Sequence, residues 1–173
     1  MRLKKDRIGI LGGSFDPAHK GHLAISKEAL RKFKLKKIVW AITKKNPFKK
    51  KSFNSLKVRI DYCKKIIGKT KSIKVKFFEK TIKSNKIITL INYLNKNKKI
   101  EIYFLMGADN LIHFHKWYKW KDISKKCKII VFDRHGYKKK SLDSTTFKRL
   151  AKKNLQFIKF KKVNISSSQL RKI

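Results

Sequence analysis

Between residues 12 and 22 the chain reads Gly12-Gly13-Ser14-Phe15-Asp16-Pro17-Ala18-His19-Lys20-Gly21-His22. A glycine turn of this kind lets backbone N–H groups converge on an anion, and a helix N-terminus just after it adds its dipole to the attraction. The histidines add side chains that can hold and neutralise phosphate oxygens. Asp16-Pro17 sets the preceding turn, and the glycine between the histidines lets the backbone bend so that both imidazoles face one phosphate chain. The anion that fits this combination is a nucleoside triphosphate. From Gly9 the glycine pattern is G-x-x-G-G, not the G-x-G-x-x-G of a dinucleotide-binding dehydrogenase.

The elements around this loop follow from hydropathy. The apolar run 8–11 leads into the loop as a strand, and the run 23–33 leaves it as a helix. Residues 37–42 are short, β-branched and aromatic, and read as a buried strand ending at a polar turn. Residues 55–67 carry Leu56, Ile60, Cys63 and Ile67 at helical spacing, with Gly68 as the stop. A strand at 73–78, a helix at 87–94, and strands at 102–106, 128–132 and 155–160 complete the series. Strands that alternate with helices and are mostly apolar throughout predict an α/β fold, a doubly wound (Rossmann-like) parallel sheet covered on both faces. Ligands of such sheets bind beyond the carboxyl ends of the strands.

The 173 residues suit one domain spanning 1–173. Lys and Arg number 49 against 10 Asp and Glu, a formal net charge of +39. Charge of that size raises the alternative of a basic nucleic-acid-binding module. Lysine is nevertheless spread over almost every segment, with no aromatic-interleaved stripe and no RNA-recognition motif. Codon bias of an AT-rich genome produces the same composition, and nonspecific polyanion binding at low salt follows from it in either case. Cys63 and Cys127 have no partner spacing for a disulfide framework or a zinc site. Met1-Arg2-Leu3-Lys4-Lys5 runs straight into the first strand without an apolar signal segment, and no apolar run approaches the ~20 residues of a membrane span. The expected location is the cytoplasm, with no membrane partner; the oligomeric state is not legible.

Chemistry-bearing residues recur after the later strands. Gly107 allows a close approach to the backbone, and Asp109 could accept from a ribose hydroxyl or cap the short helix that follows. Arg134, after the fifth strand, could pair bidentately with phosphate. Ser167 and Ser168 start a terminal helix, with Arg171 one turn on, and could place donors toward one anion or serve as a plain serine cap.

The 12–22 loop resembles the (H/T)xGH motif of the nucleotidyltransferase superfamily, and its GGSFDPxHxGH form is similar to the nicotinate-nucleotide adenylyltransferase branch. Four further blocks extend the likeness: Gly107-Ala108-Asp109-Asn110 with Trp117 resembles GxDxxxxxxxW, Asp133-Arg134-His135-Gly136-Tyr137 resembles RPGY with His135 for proline, Ile165-Ser166-Ser167-Ser168-Gln169-Leu170-Arg171 resembles ISSTxIR, and Asn46-Pro47-Phe48-Lys49 resembles NPxK. The family's YTxxTL helix start survives only in part at 85–90, where Thr89 remains and the tyrosine and first threonine are missing.

The resemblance implies a nucleotidyltransferase-type fold and an enzyme of NAD biosynthesis. Its reaction would be adenylyl transfer from ATP to nicotinate mononucleotide, giving nicotinate adenine dinucleotide and pyrophosphate, with Mg²⁺ bound through the ATP phosphates and no protein metal site. His19 and His22 become the catalytic residues. Gly12, Gly13, Ser14, Phe15, Gly107, Asp109, Arg134, Ser167, Ser168 and Arg171 fall to ATP, and Asp16, Lys49, Lys86, Thr89, Trp117 and Tyr118 to the acceptor. Trp117 would stack on the pyridine ring and Trp120 is a packing residue; where the family's tyrosine and first threonine are missing, Lys86 could instead pair with the acceptor's carboxylate. The nearest alternatives are nicotinamide-mononucleotide and phosphopantetheine adenylyltransferases. The latter usually has threonine where His19 stands.

Overall fold

A computed structural model of the chain describes residues 5–45, 52–150, 154–160 and 167–170. Its centre is a six-stranded sheet: β1 (Asp6–Gly13), β2 (Lys37–Ile42), β3 (Ile73–Lys76), β4 (Ile100–Gly107), β5 (Lys128–Phe132) and β6 (Leu155–Ile158). All pairs are parallel, in the order β3-β2-β1-β4-β5-β6. The chain winds outward from β1 in one direction and from β4 in the other, so the switch point lies between these two strands, where Leu11 is in register with Leu105.

The alternation of side chains explains why whole strands are apolar. Ile8, Ile10, Val39, Phe104, Met106, Ile129 and Val131 face one core. Leu11, Ile38, Trp40, Tyr103, Leu105, Ile130 and Phe132 face the other. Both faces are buried, so neither set of positions is polar. On the second face lie α1 (Lys20–Phe33), which contributes Ala29, and α2 (Leu56–Ile67), which contributes Cys63 and Ile67. The first face is covered by α4 (Ile87–Leu94) with Ile88 and Ile91, α5 (Ala108–His113) with Leu111, and α6 (Trp120–Lys126) with Ile123. Gly9 lets β1 lie close to its neighbours, since a Cβ there would sit 2.7 Å from Ile38 Cγ1.

Short helices unforeseen in the sequence fill the edges: α3 (Glu79–Ile82), α7 (Lys138–Leu142) and α8 (Thr145–Leu150); α9 (Ser167–Leu170) follows β6. The doubly wound parallel sheet expected from the strand pattern is the fold observed. Cys63 and Cys127 are buried free thiols, each pushed up to about 12 by burial. Among the described residues, no helix is long and apolar enough to cross a membrane.

Candidate active site

The loop after β1 folds around its own histidines. His19 is the N-cap of α1: its Nδ1 accepts the Gly21 N–H at 3.1 Å, while the Nδ1 of His22 accepts the His19 N–H at 3.2 Å. This is a capping box built from imidazoles. It corrects the expected bend at Gly21, which lies inside the first turn of α1. The i, i+3 spacing on one helix face brings the rings together, with centroids 3.8 Å apart.

The same box sets the tautomer. A nitrogen that accepts an N–H carries no proton, so both protons reside on Nε2. Among the described residues neither Nε2 has a hydrogen-bond partner. Burial first, then the charge of Arg134, lowers His19 to about 4. Burial, the neighbouring His19 and Arg134 hold His22 well below its ordinary 6.5. Near neutral pH the pair is therefore two uncharged Nε2–H donors, and among the described residues Arg134 is the cation that acts on both.

Below His22 lies an aromatic floor. Phe15 stacks on Trp40 at 5.0 Å and meets His22 at 4.8 Å. Only 2% of Phe15 is exposed, so its ring supports the histidine and leaves only its backbone for a ligand. Trp40 Nε1 donates to Ser26 Oγ, which donates to the His22 carbonyl, both at 2.8 Å. Ser26 was not picked out by sequence reasoning, because one serine inside an amphipathic helix carries no motif.

After β4, the carboxylate of Asp109 makes no capping bond; Gly107 caps α5 through its backbone. One Asp109 oxygen pairs with Arg134 Nη1 at 2.5 Å, and the other is buried without a partner. A Cβ on Gly107 would come within 2.5 Å of that second oxygen, which explains the glycine. Arg134 follows β5 in a turn closed by the Tyr137 N–H on the Arg134 carbonyl, and Gly136 supplies the positive φ of 78°. Ser167 Oγ donates to the Pro17 carbonyl at 2.8 Å, which docks α9 against the loop that carries the histidines.

The residues expected at an acceptor site fall into two groups. Lys86 precedes α4 with its ammonium 6.0 Å from the ring of Tyr118, which is 57% exposed. Trp117 is half-buried and packs on Phe104 and Phe114 at 6.1 and 5.2 Å. The start of α4 lies over the phosphate turn, with Ile87 Cδ1 3.2 Å from where a Gly12 Cβ would be. Thr89 instead accepts from Ser84 Oγ, which in turn accepts the Lys86 N–H just before α4. Asp16 is 4% exposed and accepts the N–H of Phe53, the N–H of Asn54 and the Asn54 side-chain amide, which fastens the chain entering α2. Its carboxylate holds the scaffold rather than standing open to an acceptor. Trp120 packs edge-on to Phe114. Lys49, Arg171 and the side chain of Ser168 lie outside the described residues.

Unpaired donors of the neutral histidines, a cationic fork and an orphaned carboxylate oxygen thus gather beyond the strand ends at the switch point. That is the arrangement of a protein that handles a nucleotide's phosphates and sugar. The chain belongs to the Cytidylyltransferase-like family, whose model matches residues 10–173. It is 68% identical over 173 residues to a protein of Pelagibacter ubique (strain HTCC1062) described as a probable nicotinate-nucleotide adenylyltransferase, covering 100% of this chain and 96% of that one. A protein of Agrobacterium fabrum with the same description is 39% identical over 140 residues, covering 80% of this chain and 74% of that one. In fold it matches the nicotinic acid mononucleotide adenylyltransferase of Plasmodium falciparum complexed with NaAD, with a TM-score of 0.81 at 21% identity over 96% of this chain and 83% of that one.

The depressed histidines make stability acid-sensitive. The unfolded chain takes up these protons near 6.5, the folded one only near 4 for His19 and well below 6.5 for His22. The stability they confer is complete above about pH 7 and drains away as pH falls from 6.5 through 4. Urea unfolding should therefore show lower stability at pH 4.5 than at pH 7, with part of the difference coming from this pair. The variant His19→Asn/His22→Asn should lose that part of the slope; an unchanged slope would assign the acid sensitivity to other groups.

Proposed function

We propose that the protein transfers the adenylyl group of ATP to nicotinate mononucleotide, releasing pyrophosphate and forming nicotinate adenine dinucleotide. The observation that carries this reading is the His19–His22 pair, fixed as Nε2–H donors beside Arg134. The descriptions of the curated relatives support the choice of substrates.

The acceptor's 5′-phosphate is already an anionic nucleophile at neutral pH, so the reaction needs no general base. An oxygen of that phosphate bonds to the α-phosphorus of ATP as the bond from that phosphorus to the bridging oxygen breaks, and pyrophosphate departs with the electron pair. Catalysis is alignment plus stabilisation of charge on phosphate oxygens. His19 and His22 donate to the α- and β-phosphates, and the backbone of 12–15 cradles them. Arg134, Ser168 and Arg171 balance the departing pyrophosphate, and Ser167 holds α9 to the loop. Asp109 offers its unpaired oxygen to a ribose hydroxyl. Trp117 stacks on the pyridine ring, and Lys86 and Tyr118, with Lys49, receive the acceptor's carboxylate and phosphate.

Among the described residues no cluster of three or more His, Cys, Asp or Glu could hold a metal ion. A Mg²⁺ bound through the ATP phosphates would neutralise phosphate charge. The cytoplasm is the proposed location.

The test is pyrophosphate release from Mg-ATP with nicotinate mononucleotide, and in parallel with nicotinamide mononucleotide. Release with the acid is expected, at a higher kcat/KM than with the amide. Release with neither would overturn the reading, and preference for the amide would reassign the acceptor.

A further inference from the structure

Arg59, inside α2, belongs to none of the recognised motifs, yet it is only 2% exposed. Its Nη1 donates to the carbonyls of Ser14 at 2.7 Å and Thr43 at 2.8 Å, and its Nη2 to the carbonyl of Lys44 at 2.9 Å. Among the described residues no carboxylate forms an ion pair with it. The adjacent Cys63, pushed up to about 12 by burial, supplies no counter-charge. A buried guanidinium satisfied by carbonyls alone carries a large desolvation cost, and its Nε is buried with no partner at all. Generic packing of α2 would be served better by an apolar side chain.

What Arg59 holds is specific. Ser14 is the exit of the phosphate turn, while Thr43 and Lys44 are the exit of β2. Glu79 grips the same exit from the other side by accepting from Thr43 Oγ1 and the Lys44 N–H. Because the Ser14–Phe15 peptide is trans, turning its carbonyl toward Arg59 turns the Phe15 N–H the opposite way. That N–H has no acceptor among the described residues. Phe15 is itself held at φ 47°, where few residues other than glycine settle.

We propose that Arg59 is a positioning residue for adenylyl transfer: it clamps the Ser14–Phe15 peptide so that the Phe15 N–H faces the transferring phosphate, and it fixes the phosphate turn against the exit of β2. The proposal rests on the reaction assigned above. Arg59 touches neither substrate; it acts through a backbone donor, as a residue behind an oxyanion hole does.

The test compares Arg59→Met and Arg59→Lys with the wild type, each assayed well below its own melting temperature. Losing one oriented donor should lower kcat of Arg59→Met by about 100-fold, with the acceptor's KM little changed. Arg59→Lys, which keeps the charge and reaches part of the carbonyl set, should recover roughly tenfold of that loss. Variants with lowered melting temperatures but wild-type kcat would overturn the proposal, since that is the signature of a purely structural role. If Arg59→Met does not fold, Arg59→Lys carries the same comparison. If the wild type itself releases no pyrophosphate, the assigned reaction fails separately, and Arg59 is judged by calorimetric affinity for Mg-ATP. An affinity about tenfold weaker in Arg59→Lys upholds the clamp, and an equal one overturns it.

Discussion

Replacing His22 with alanine is expected to lower kcat by about 10³, the upper end of what removal of one preorganised donor costs. The donor lost is the Nε2–H of a neutral ring, which costs little to hold buried and becomes valuable only as charge builds on the phosphates. KM for the acceptor should change little, because the interaction grows in the transition state. The imidazole also accepts the His19 N–H, so alanine removes half of the capping box as well. That loss is worth about 1 kcal/mol, or a fall of about 2–4 °C in melting temperature for a chain of this size. The two roles separate in His22→Asn. Its carboxamide oxygen can replace Nδ1 as the cap but places no donor where Nε2 stood. Melting temperature should return toward wild type while kcat stays low. Recovery of kcat with the cap would mean that His22 acts only by shaping the helix start, and near-normal turnover in alanine would remove it from the chemistry.

The dependence of one side chain on a cap and a tautomer marks the boundary of what sequence reading reaches. Strands β2 and β5 and helix α4 begin and end where hydropathy places them, because a buried parallel strand and an amphipathic turn each write a local period into the chain. Strand β4 outruns its apolar centre: Ile100 and Glu101 are drawn into the ladder by Asp6 and Arg7 of β1. Helices α3, α7 and α8 are too short to write a helical period into the chain, so tertiary contacts specify them.

In the site, the histidine loop was legible as a motif. The neutral state of its rings was not, because it depends on burial and on Arg134, distant in the chain. Arg59, Glu79 and Ser26 were invisible for a related reason. Each bonds a backbone carbonyl, a backbone N–H or a lone side chain, and such partners leave no spacing in sequence. Asp16, which reads as part of a substrate motif, turns out to fasten Phe53 and Asn54. Its place beside the histidines stems from that scaffold.

Arg134 ties these strands together, and its replacement by methionine should be nearly as damaging as loss of His22. Three effects coincide. The phosphates lose the fork that balances developing charge, a contribution of about 10²–10³ in kcat for a donor of this kind. Asp109 loses its ion-pair partner while its other oxygen is already unpaired, leaving a half-buried carboxylate that repels a triphosphate. Both histidines lose a cationic neighbour that holds their pKa values down. Their titrations should therefore move up toward 6.5 but remain below it, since burial is the larger cause for each. Proton resonances of the imidazole Cε1–H across pH 4 to 8 would show this shift directly, without any turnover. Arg134→Lys separates charge from geometry. The ammonium preserves the electrostatic effect on the histidines, so their titrations should stay low, while the lost fork keeps kcat well below wild type. Unmoved titrations in Arg134→Met would place the arginine too far from the pair to share a phosphate with it, and the site would then have to draw its positive charge from other residues.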